Sequence, residues 1–125
     1  MKIYNNNNKI KMLGMDFVLS IKQNCKRLDP IGKEVYGTRF IATTKEGIVS
    51  LFMEVNDSII VEYDQSTFTD QLLINELCYQ LVLHIQQRLF THYVLTGEIE
   101  KAQEVQELIA LNKTIHANQG NIGEA

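Results

Sequence analysis

Residues 35–63 read VYGTRFIATTKEGIVSLFMEVNDSIIVEY, and their pattern decides the fold. Three runs of β-branched and aromatic residues are divided by two turn signals. The first expected strand covers 35–43. Lys45-Glu46-Gly47 then forms a turn in which Gly47 is free to take positive φ. The second strand covers 48–55, with Val49, Leu51, Met53 and Val55 on one face and Ile48, Ser50, Phe52 and Glu54 on the other. Asn56-Asp57 makes the next turn, and 58–63 is the third strand. Loops this short force antiparallel neighbours, so 35–63 is expected to be a meander.

Toward the N terminus the same period continues. Phe17, Leu19 and Ile21 alternate within a strand over 16–21, and 9–13 is a shorter candidate. Residues 23–33 are polar, hold the only proline, Pro30, and pass through Gly32, so they read as a loop. The four asparagines Asn5 to Asn8 favour turns, and 1–8 is expected to be a flexible segment. The sheet therefore spans 9–64 with four to five strands.

Beyond Asp64 the period becomes helical. Thr67 to Asp70 has capping-box spacing with Asp in place of Glu. A long helix is expected over about 69–95, ended by Thr96-Gly97 with Gly97 as a left-handed C-cap. Glu98 and Glu100 favour a fresh helix N-terminus, and the second helix should cover about 98–116. The glycine-containing stretch 118–125 reads as a flexible tail. The fold class is α+β: one domain over 9–117, an antiparallel sheet followed by an antiparallel helical hairpin.

The long helix has two apolar sides. Ile74, Leu77, Cys78, Leu81, Ile85 and Leu89 form a core-facing stripe at 100° per residue. Leu72, Tyr79, Leu83, Phe90 and Val94, spaced 7, 4, 7 and 4, form a second, seam-like stripe. A second helix ending near 116 is shorter than the first, so it would leave the end of that stripe near Leu72 and Tyr79 uncovered. These five residues are the expected interface.

The chain has 125 residues, twelve basic and fifteen acidic, for a formal charge of −3. A globally basic nucleic-acid binder is excluded. The charge is uneven: residues 1–39 carry +5 and residues 40–125 carry −8. Either a basic arm serves an anionic partner, or two oppositely charged faces attract within the fold or between subunits. Aromatic residues beside Lys22, Lys26, Arg27, Lys33 and Arg39 are sparse, which argues against nucleic acid.

Two cysteines, Cys25 and Cys78, make no disulfide framework, and no apolar export segment follows Met1. No apolar run is free enough of polar residues to cross a membrane, and the cytoplasm is the expected compartment.

The motifs of phosphate-loop, dinucleotide, hydrolase and zinc chemistry are absent from the sequence, and no cofactor or metal is expected. His84, Arg88 and His92, spaced i, i+4, i+8, form one helical ridge. With Lys26 and Arg27 they are the candidate contacts for a small anionic ligand such as a nucleotide. The spacing suits a metal poorly, since a cation separates the two histidines. The expected function is a non-enzymatic, intracellular interaction or accessory protein of a bacterium or phage. It would pair with itself as a homodimer, or with another protein, through the long helix. Binding of an anionic ligand is the alternative.

Overall fold

The computed structural model describes residues 8–124, with side-chain environments to residue 119. Five antiparallel strands, β1 (Lys9–Met12), β2 (Met15–Leu28), β3 (Glu34–Thr43), β4 (Ile48–Glu54) and β5 (Ile59–Val61), lie in the order β1-β2-β3-β4-β5. The meander thus extends over the whole sheet. Two helices follow, α1 (Gln71–Leu95) and α2 (Ile99–Glu124). The described residues group into two compact units, one ending at Leu81 and the other beginning at Val82.

In the first unit the register places Leu19 opposite Ala42, Phe40 opposite Leu51 and Ala42 opposite Val49. All five are buried, as is Phe17. The first three turns of α1 bury Ile74, Leu77, Cys78 and Leu81 in the same unit. The period-two face of the sheet and the helical stripe thus supply the apolar core.

The connections explain the register. Met12 pairs with Met15 across Leu13-Gly14, both at positive φ (51° and 77°), the signature of a type I′ hairpin. At the β4–β5 connection Asp57 takes φ 68° and Glu54 N–H donates to the Ser58 carbonyl at 2.9 Å. Asp29 organises the β2–β3 turn, its Oδ1 accepting the amides of Ile31 and Lys33.

Four expectations are corrected. The loop expected over 23–33 is only 29–33, because β2 continues to Leu28. A bulge between Lys22 and Cys25, with Asn24 at φ 57°, resets the pairing and lets polar residues run on as a strand. Gly47 does not take positive φ. It is needed because a Cβ there would sit 2.9 Å from Thr67 Oγ1 and 3.1 Å from the Phe68 ring. The N-cap of α1 is Asp70, whose Oδ1 accepts the amides of Leu72 and Leu73, while Thr67 Oγ1 accepts the Ile48 amide instead. Finally, α2 runs to Glu124 through the stretch expected to be a tail. No proline interrupts it, and propagation adds one hydrogen bond per residue even through weak helix formers. Of the expected N-terminal flexible segment, residues 1–7 lie outside the described residues. Asn8 is buried, and its carbonyl accepts the Leu19 amide at 2.7 Å.

In the second unit, α1 ends as expected at Gly97, φ 78°. Glu98 N–H donates to the Tyr93 carbonyl and Gly97 N–H to the Val94 carbonyl, the paired bonds of a Schellman motif. The end of α1 and α2 form an antiparallel hairpin: Asn112 Nδ2 donates to the buried Gln86 Oε1 at 3.0 Å, and the Lys101 ammonium lies 5.5 Å from the Tyr93 ring centre. No helix among the described residues is long and apolar enough to cross a membrane.

Candidate functional site

The most developed polar constellation lies in the sheet unit, on the sheet face that carries the buried Phe52 and Ser50. Arg27 on β2, Arg39 on β3 and Ser50 on β4 converge on Glu62, just past β5. Glu62 is 1% exposed, and its two oxygens accept four hydrogen bonds. Oε1 takes Arg39 Nε at 2.8 Å and Ser50 Oγ at 2.8 Å. Oε2 takes Arg39 Nη2 at 2.9 Å and Arg27 Nη1 at 2.8 Å. Two strands separate β2 from β5, roughly 14 Å in a flat sheet, so this bond network belongs to a sheet curled toward that face. The bulge at 22–25 supplies the local twist.

Burial by itself would raise the Glu62 carboxyl. The hydrogen bonds from Arg39, Ser50 and Arg27, with the Arg39 charge, outweigh burial and hold it below the ordinary carboxylate range. The bond to Glu62 raises Arg39 in turn. Arg39 also lies over the Phe52 ring, 5.6 Å from its centre. With all four acceptor positions of the carboxylate filled, the arrangement suits a structural clasp and leaves no carboxylate lone pair for proton transfer.

The candidate anion contacts divide between the two units. Lys26 Nζ pairs with Glu34 at 3.3 Å, and Arg27 belongs to the Glu62 clasp. His84, Arg88 and His92 are half-buried on α1. Burial, then the Arg88 charge, pushes the His84 imidazole below its usual range, so it is neutral at pH 7 and lends no positive charge to the ridge. Its Nε2 is buried without a hydrogen-bond partner among the described residues. Among those residues no three His, Cys, Asp or Glu side chains converge in a metal-binding array. A shallow, open hollow of about 500 Å³ beside β1 and β2 is lined by Lys9, Ile10, Lys11, Asp16, Phe17 and Val18. Of its three charged members, Lys11 and Asp16 pair at 3.6 Å.

The expected interface residues are graded in exposure. Leu72 is 81% exposed and Val94 44%, while Tyr79, Leu83 and Phe90 are half-buried. A larger open surface lies on α2. Ala102 and Val105 are buried and Ile109, Asn112 and His116 half-buried, which marks the inward face. Leu108, Leu111 and Ile115, 45–53% exposed, form a separate stripe about 100° around the helix. At the far end of the sheet Leu28, Ile31, Tyr36 and Val55 are also exposed, Ile31 by 87% and Val55 by 84%.

The sequence singles out Arg27 and Arg39 as basic residues but does not mark Glu62 or Ser50 as their partners. Glu62 closes the apolar run Ile59-Ile60-Val61 and looks like an ordinary strand end. Only the register, with Glu62 N–H donating to the Ser50 carbonyl, turns it inward. The α2 stripe is legible in the sequence as spacing 3 and 4 at 108, 111 and 115. Comparison with known protein families, with characterised proteins and with solved structures finds no match for this chain.

Proposed function

We propose that this protein is a non-enzymatic interaction module of the cytoplasm that associates with itself through apolar helix surface. The observation that carries this reading is the α2 stripe. Leu108, Leu111 and Ile115 occupy successive turns of one helix and stand about half exposed, apart from the face that packs on α1. Burying a Leu or Ile side chain contributes about 1.5–3 kcal/mol, so a regular stripe left wet favours association. Leu72 and Val94 add open apolar surface on α1. The mismatch in helix length expected from sequence is not the cause, since α1 has 25 residues and α2 has 26.

Binding of a small anion has less support. Lys26 and Arg27 already hold carboxylates, and His84 is neutral at pH 7. The test is sedimentation of the wild-type chain and of Leu111→Asp over a concentration series. Self-association predicts a wild-type mass that rises with concentration and a variant that stays monomeric. A wild-type monomer at every concentration overturns the reading.

A further inference from the structure

The β2–β3 hairpin extends past the rest of the sheet. β4 pairs with β3 no further than Gly37, opposite Glu54, while β2 and β3 pair on through Tyr36 and Lys26 to Glu34 and Leu28. This arm adds three residues per strand and a turn, about 10 Å of paired strand. Its exposed apolar residues are Leu28, Ile31 and Tyr36. Tyr36 lies across from Lys26, next but one to Leu28 on the same face. Ile31 caps the tip. Internal bonds stiffen the arm: Tyr36 Oη donates to Glu34 Oε2 at 3.2 Å, Lys26 Nζ pairs with Glu34 Oε1, and Asp29 ties down the turn. Rigid, exposed aliphatic and aromatic side chains on a projecting hairpin are the anatomy of a binding surface.

Charge identifies what fits it. From Lys26 to Tyr36 the arm holds three cations, Lys26, Arg27 and Lys33, against two acids, Asp29 and Glu34. Lys33 makes no ion pair among the described residues. The start of α2 is the reverse, with Glu98, Glu100, Glu104 and Glu107 against Lys101. Among the described residues only Glu98 of these acids has an ion pair, with Lys101 at 3.4 Å. Glu104 lies one turn before Leu108 on the side of the helix that carries the exposed stripe. The stripe from Leu108 to Ile115 is itself about 10 Å long, the length of the arm's paired extension.

We propose that the β2–β3 arm of one copy docks on the acidic, apolar face of α2 in a second copy, so that the chain assembles head to tail. This rests on the reading that the α2 stripe is an association surface, and it names the surface that covers it. Leu28, Ile31 and Tyr36 pack on Leu108, Leu111 and Ile115, and Lys33 approaches Glu104. Each copy then offers one arm and one helix face, so the contact is heterologous and propagates into a ring or a filament instead of stopping at a two-fold dimer.

The test is complementation between two full-length variants, Ile31→Asp on the arm and Leu111→Asp on α2, followed by light scattering after gel filtration. Both side chains are exposed in the free chain, and circular dichroism checks that both variants fold. Wild type is expected to exceed the dimer mass at high concentration. Each variant alone is expected to remain monomeric, its affinity down by about tenfold or more. Mixed one to one, the two retain a single intact joint and form a heterodimer that grows no further. Lys33→Glu is expected to weaken assembly at low salt and to approach wild type at high salt. If Ile31→Asp assembles like wild type while Leu111→Asp does not, head-to-tail docking is overturned and helix self-association stands. If the mixture stays monomeric, the docking is likewise overturned. A wild-type chain that never associates removes both.

Discussion

Replacing Glu62 with Gln removes one charge from the clasp without changing its shape. The carboxylate accepts Arg39 Nε and Ser50 Oγ at one oxygen, and Arg39 Nη2 and Arg27 Nη1 at the other. An amide has one accepting oxygen and one donating NH2. Whichever way it turns, the NH2 meets an N–H of Arg39, so at least one charge-assisted bond is lost and two donors face each other. A hydrogen bond to a charged group contributes about 1.5–3 kcal/mol, and breaking a buried pair costs about 3–5 kcal/mol. The arginines are about one fifth exposed, 23% and 21%, so water reaches them and the lower end applies. Glu62→Gln is therefore expected to lose about 3 kcal/mol at pH 7, read by urea unfolding followed by circular dichroism. The pH dependence checks the cause. Glu62 is held below its unfolded value of about 4.3, so its contribution is complete above that pH and disappears as pH falls through the folded value. The difference between wild type and variant must close in acid. A loss under about 0.5 kcal/mol at pH 7, within the range of an ordinary surface substitution, would refute the reasoning, as would a gap that stays constant from pH 7 to pH 3.

Three further outcomes follow from the backbone and the thiols. Gly37→Ala drives a Cβ into the Met53 carbonyl oxygen and to 3.0 Å from the Phe52 ring, so it is expected to cost about 1–3 kcal/mol in urea unfolding; neutrality would mean that the β3–β4 pairing yields freely. Gly97→Ala meets open space, and only its φ of 78° is strained, so about 1–2 kcal/mol is expected, with a stability equal to wild type contradicting the Schellman cap. Burial pushes the Cys78 thiol up to about 11, whereas Cys25 is half-buried on β2. One thiol per folded chain should therefore react with a disulfide reagent at pH 8 and the second only in urea, and two fast thiols in the native protein would place Cys78 wrongly.

The sheet was legible where side chains alternate cleanly. Phe17 and Leu19, or Val49, Leu51 and Met53, announce their face at period two, and each lies buried on it. Legibility failed where a strand carries polar residues on both sides. Lys22 to Arg27 shows no hydrophobic alternation, and the bulge that keeps it in register is a backbone event with Asn24 as its only sequence trace. The core stripe of α1 was equally plain, since Ile74, Leu77, Cys78, Leu81, Ile85 and Leu89 are all buried. The clasp was not, because it joins residues 12 to 35 positions apart that only the curled sheet brings together. The length of α2 was missed for a related reason. Asn118, Gly120, Asn121 and Gly123 are poor helix formers, yet none is a stop signal as strong as proline.

The uneven charge of the sequence divides into two parts with different physics. Arg27 and Arg39 come from the basic N-terminal third and Glu62 from the acidic remainder, so part of the asymmetry is neutralised within the fold, around a carboxylate only 1% exposed. Lys22, Lys33, Glu100, Glu104 and Glu107 stay outside, in water and without ion pairs among the described residues. Exposed pairs of this kind contribute about 0–1 kcal/mol each, too little to hold two chains together. Their effect lies in orientation and encounter rate, while affinity comes from the apolar side chains they frame. Salt should therefore slow head-to-tail association more than it speeds dissociation, whereas Leu111→Asp should act mainly on dissociation. A salt dependence confined to dissociation would mean that the charges are buried in the joint, which the exposed arm and the exposed helix stripe do not accommodate.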